Sequence, residues 1–123
     1  MSQFTGPIEY NLISVKSSEL ELGYHGSHTD FVWRPYEERS EEARADYDLL
    51  EESILKDRLQ KPLITFNGHV LIGMRRLEIF WKHFGFHEQV ACAEILEDVY
   101  LWDRYDIPRL NDMKSVIGEY SYT

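Results

Sequence analysis

Residues 59 to 85 read LQKPLITFNGHVLIGMRRLEIFWKHFG, and this stretch decides the fold. Two apolar runs, PLITF and HVLIG, flank Asn67-Gly68. Asn-Gly is the strongest short-range hairpin signal, because both central residues tolerate positive φ. Gly73 then permits a sharp bend, and Arg75 and Arg76 follow in the first turn of a helix. That helix carries Leu77, Phe80, Trp81 and Phe84 on one face and meets a glycine stop at Gly85. A glycine followed by first-turn N–H groups and two guanidinium groups is a place where an anion can rest. The stretch predicts strand, tight turn, strand and helix, with a phosphate-bearing ligand at Gly73.

Working upstream, Ser40 can cap a helix whose dipole suits Glu41 and Glu42 at its start. Ala43, Tyr47, Leu50 and Ile54 give that helix an apolar face, and it should end near Arg58, before the strand that Pro62 opens. Residues 8 to 15, IEYNLISV, alternate imperfectly, as a strand covered on both faces would. Gly23 to Pro35 has no clear period and reads as a long loop. Downstream, a strand is expected at Gln89 to Leu96. A last helix is expected at Ile107 to Ile117, with Asp106 as cap and Pro108 at an early position. The order implies a single α+β domain over residues 1–123, with helices covering one side of a small mixed sheet.

A chain of 123 residues suits one domain with its own core. At 43% hydrophobic and 28% charged it is not disordered in bulk. The net charge of −9, from 22 acidic and 13 basic side chains, disfavours direct DNA binding. The same charge suits docking on a basic partner. Cys92 is the single cysteine, so no intrachain disulfide or thiolate cluster can form, and its place in VACAEIL predicts a buried strand residue. Without a basic leader or a membrane-length apolar stretch, the expectation is a soluble cytoplasmic protein with no membrane partner.

With these elements placed, residues from about Tyr47 to Asp98 resemble the ParB/sulfiredoxin-like domain, also described as the ParB-like nuclease fold. The resemblance rests on LLEESILKDRLQKP, then LITFNGHVLIGMRRLEIFWKHFG, then QVACAEILED. In that family a helix ends in a Ser-Ile pair and proline links it to a strand. A hairpin strand then leads into a Gly-x-(Arg/His)-Arg turn. The resemblance implies nucleotide binding, with ATP or CTP and Mg²⁺ as the expected ligands. Gly73, Met74, Arg75 and Arg76 would cradle the phosphates and Ser53 would add a hydrogen bond. Gln60, Lys61 and Pro62 through Ile64 would line the base.

The departures from the family matter too. Met74 stands where the sulfiredoxin branch has its catalytic cysteine, so sulfinic-acid repair is not expected. ParB partition proteins often have glutamate there, whereas Met74 offers neither a Mg²⁺ ligand nor a general base. No helix-turn-helix or dimerisation segment follows, which turns the expectation away from partition and toward the stand-alone members met in phages and plasmids. Phosphoryl transfer or nuclease activity stays open, because no residue stands out as a general base.

Several clusters have two readings. His25, His28, His69, His83 and His87 could ligate a metal, but zinc needs three or four convergent ligands and no metal site is expected. His69, just after the hairpin turn, is the histidine placed nearest the phosphate. Glu37-Glu38, Glu41-Glu42, Glu51-Glu52 and Glu97-Asp98, with Asp103 and Asp106, could serve metal-assisted chemistry or simply face solvent. Tyr24, Phe31, Trp33 and Tyr36 could stack a base or pack over the core. Arg75 and Arg76 point about 100° apart on a helix, and Glu78, Glu42 or Glu52 could pair with either. The alternative function is an acidic interaction protein that binds and inhibits a host factor without catalysis.

Overall fold

The computed structural model describes residues 6–23, 34–102 and 107–117. Five strands, Tyr10–Lys16 (β1), Glu21–Leu22 (β2), Leu63–Phe66 (β3), His69–Ile72 (β4) and Gln89–Ile95 (β5), form one mixed sheet in the order β1-β5-β3-β4-β2. Three helices, Glu41–Asp57 (α1), Met74–Phe84 (α2) and Ile107–Ile117 (α3), pack around it. This is the expected α+β class. The readings made for Tyr24, His25, His28, Phe31, Trp33, Asp103 and Asp106 lie outside the described residues.

The β3–β4 hairpin forms where Asn67-Gly68 predicts it, with φ of 50° and 81° at the two turn residues. Its ladder carries a bulge on β4, since Ile64 opposes Ile72 while Thr65 opposes Val70. The extra residue, Leu71, joins Ile72 against the same apolar cluster. Ser40 caps α1 by accepting a 3.1 Å bond from the Ala43 N–H.

The helices do not cover one side of the sheet, as the sequence suggested; they cover both. Leu63, Val70, Val90 and Cys92 face Leu77 and Phe80 of α2. Their strand neighbours Ile64, Leu71, Ala93 and Ile95 face the other way. They pack with Val99, Trp102 and the α3 residues Leu110, Met113 and Ile117. α1 stacks outside α2 through Tyr47, Ile54 and Ile79. The physical reason is in the strands themselves. LITF, HVLI and VACAEI are near-continuous apolar runs, and a strand apolar at successive positions needs cover on both faces.

β2 was not anticipated. Its two residues run parallel to β4, and bonds from the Glu21 N–H to Gly68 O (2.8 Å) and the Gly23 N–H to Val70 O (3.0 Å) hold it there. Two residues carry no periodicity from which to read a strand.

Candidate functional site

The glycine-arginine turn is built by three strand ends meeting. β3 runs antiparallel to β4 and parallel to β5, so the end of β4, the start of β3 and the start of β5 share one end of the sheet. Gly73 leaves β4 there with φ of 102° and becomes the N-cap of α2, which no side chain caps. A Cβ at this position would lie 2.6 Å from Leu63 Cδ2 and 2.8 Å from Arg76 Nη2. Both the backbone angle and the space demand glycine.

The two arginines have different fates. Arg76 folds back over the turn, and its guanidinium donates a 3.1 Å bond to the carbonyl of Lys61, tying the entry of β3 to the start of α2. Arg75 is exposed. Met74 is half-buried against the α2-side core, which explains an apolar residue in the middle of the motif. Glu78 accepts two bonds from Arg39, at 3.1 and 3.2 Å.

The remaining candidates divide. Gln60 and Lys61 are exposed beside the turn, whereas Pro62 is buried. Ile64 is 1% exposed and belongs to the core cluster on the α3 side, so its side chain has no surface to offer a base. Ser53 is exposed on α1 next to the buried Ile54. His69 is not beside the turn. It starts β4, while Gly73 follows the end of β4, and four residues of strand set them about 13 Å apart. Its Nδ1 instead lies 3.1 Å from Gly23 O and 3.6 Å from the Glu21 carboxylate.

A cavity of about 340 Å³ opens at the same end of the sheet, lined by Arg58, Leu59, Phe80, Glu88, Gln89, Val90 and Ala91. It sits over the start of β5, two strand spacings from the exit of β4, which is about 10 Å. Leu59 to Pro62 run between the cavity and Gly73. Arg58 stands at the cavity, stacked 3.7 Å over the Phe84 ring and paired with Glu88 at 2.6 Å. Its backbone has φ of 63° and ψ of −159°, a region that side chains other than glycine rarely enter. The sequence reading missed Arg58; the one available signal was a helix ending without glycine or asparagine.

Other polar groups are absorbed by packing. Glu51 accepts bonds at 2.8 Å from both Lys82 and His83, and these bonds, Lys82 foremost, hold its carboxyl below the usual range. Glu97 accepts from Trp102 Nε1 and from the two terminal guanidinium nitrogens of Arg109. Tyr36 packs edge-on against Tyr47 with centroids 5.3 Å apart, and its hydroxyl donates to Asp48. Cys92 is fully buried, and burial pushes its thiol up to about 12. Among the described residues, no three His, Cys, Asp or Glu side chains converge as metal ligands. None of the described helices is long and apolar enough to cross a membrane.

No protein-family model, curated protein or solved structure matches the chain.

Proposed function

We propose that the protein binds a nucleoside triphosphate across this end of the sheet. The observation that carries the reading is the start of α2: an uncapped helix N-terminus at Gly73, with Arg75 exposed and Arg76 laid over the turn. Helix dipole, N–H groups and guanidinium forks all favour the same phosphate oxygens. The cavity at Phe80 and Val90 supports the reading, because it offers a recess of mixed polar and apolar lining within a nucleotide's length of that turn. The base then rests along Leu59 to Pro62 and into the cavity, rather than against Ile64. ATP or CTP with Mg²⁺ remains the ligand that the family resemblance implies. Phosphates could hold the metal; the turn itself supplies no carboxylate to it. Phosphoryl transfer or phosphodiester hydrolysis would draw charge stabilisation from the arginines.

Equilibrium binding of labelled ATP, CTP and GTP tests this, with Arg75→Ala as the control. Arg75 is the better probe because Arg76 also holds the β3 entry in place. Loss of one charged hydrogen-bond donor predicts a roughly tenfold or larger drop in affinity. Absence of saturable binding to all three, or binding indifferent to Arg75→Ala, rejects the proposal.

The second reading is an acidic protein that docks on and inhibits a basic host factor. The outer side of α1 favours it, with Leu49 67% exposed on a helix that bears Glu41, Glu42, Asp46, Asp48 and Glu52. Apolar anchors in a charged rim are the composition of a docking patch. A stoichiometric partner lost at high salt, and lost in Leu49→Lys, supports this reading; nuclease or NTPase activity in a clean preparation opposes it.

A further inference from the structure

We propose that β1 is a self-complementary edge through which two copies of the chain pair antiparallel, about a twofold axis at Ile13. β1 is the last strand of the sheet, and β5 is its only partner among the described residues. Which of its backbone groups face away from β5 follows from its ends. The Glu9 carbonyl accepts from the Leu96 N–H, and the Ser17 N–H donates to Glu88 O. Odd-numbered residues therefore turn their backbone groups toward β5, and Leu12 and Ser14 turn theirs outward.

Edge strands of proteins that stay single are blunted by charges, proline or bulges. β1 has none of these from Tyr10 to Val15, and its register with β5 runs unbroken from Tyr10–Ile95 to Lys16–Gln89. In a chain of net charge −9, this edge instead exposes Leu12 by 55% on one face and Ile13 by 38% on the other. The apolar exposure and the outward backbone groups coincide.

A twofold axis normal to the sheet preserves its faces, so each residue must oppose one of the same parity on the other copy. Placing Ile13 opposite Ile13 satisfies this and puts Leu12 opposite Ser14 at both sides of the axis. Leu12 and Ser14 then exchange both backbone bonds, twice. Ile13 forms the closer, non-hydrogen-bonded pair, and the two Leu12 side chains meet diagonally on the other face. In this register Lys16, the sole charge in β1, lands opposite Tyr10, so no like charges face each other across the pair. The competing register, centred on Leu12, sets Ile13 against Asn11 and Lys16 against the buried Ile8. One strand pair is smaller than a standard interface, so the dimer is reversible and concentration-dependent.

Sedimentation equilibrium over a range of concentrations tests the pairing. The expected result is a rise in mass from one chain toward two. Ser14→Pro removes an N–H that faces away from β5 and is compatible with an edge position; it should hold the protein at one chain. Ile13→Lys puts two like charges on the axis and should do the same, with an unchanged circular dichroism spectrum. A wild-type protein that stays single at the highest concentration overturns the proposal. So does a dimer that survives both Ser14→Pro and Ile13→Lys. Either failure leaves nucleotide binding at Gly73 untouched, because β1 takes no part in that site.

Discussion

Arg58 and Gly85 end their helices in the same backbone conformation. Arg58 closes α1 at φ 63°, ψ −159°, and Gly85 closes α2 at φ 77°, ψ −158°. Each also donates its N–H to the carbonyl four residues back, Ile54 and Trp81. Glycine enters this region without steric cost, whereas an arginine there is strained. What keeps Arg58 in place is its side chain, stacked on Phe84 and paired with Glu88 at the mouth of the cavity.

Replacing Arg58 separates strain from contact. Arg58→Ala and Arg58→Gly both lose the stacking and the ion pair, but only glycine relieves the backbone. Arg58→Gly should therefore be more stable than Arg58→Ala by about 1–3 kcal/mol, read as a difference in urea midpoint. Equal stability of the two variants would show that position 58 carries no strain.

Gly73→Ala should be costly. The new Cβ would press on Leu63 Cδ2 and on the Arg76 guanidinium, at a residue with φ of 102°. A loss on the order of 2–3 kcal/mol is expected, from conformational strain plus overpacking. Thermal unfolding measures it. A variant within a few tenths of a kcal/mol of wild type would place Gly73 in a different conformation.

The Glu97 network should behave as a buried brace. Glu97 and Arg109 side chains are 14% and 12% exposed, and Glu97 also serves Trp102. Glu97→Ala removes the carboxylate that accepts two bonds from Arg109 and one from the Trp102 indole N–H. Roughly 3 kcal/mol of destabilisation follows for breaking a largely buried pair. Denaturant unfolding reads it, and a cost typical of a surface pair would mean that water enters the site.

Acid should remove a small contribution from Glu51. Its carboxyl titrates below the usual range because Lys82 and His83 donate to it. A depressed native pKa makes the contribution present above the unfolded value, about 4.3, and lost as pH falls through the native value. The stability gap between wild type and Glu51→Gln should be under about 1 kcal/mol near neutral pH. It should close as the solution is acidified. A gap that widens in acid contradicts the assignment.

Cys92 should be silent to thiol reagents in the native state, being fully buried with its thiol raised to about 12. Labelling by a disulfide reagent is expected only at the rate of unfolding. Rapid labelling of native protein would place Cys92 nearer the surface than the core between β5 and α2.

The sequence by itself determined the hairpin, the helix limits and the position of Gly73. Each depends on residues close in the chain: Asn67-Gly68 for the turn, Ser40 for a cap, and Gly73 and Gly85 around α2. Local backbone preferences are strong enough there to decide the conformation unaided. Only the tertiary structure decided that α3 covers the face of the sheet opposite α2, because an apolar run such as LITF does not say which helix meets which face. It also decided that Ile64 is core and that His69 lies a strand away from Gly73. The same holds for Arg76, which reaches back to the Lys61 carbonyl while Arg75 stays exposed. These outcomes depend on pairings between segments far apart in the chain, where burial and register outweigh local preference. Arg58 is the clearest case: its local preference opposes the conformation it adopts, and contacts with Phe84 and Glu88 hold it there.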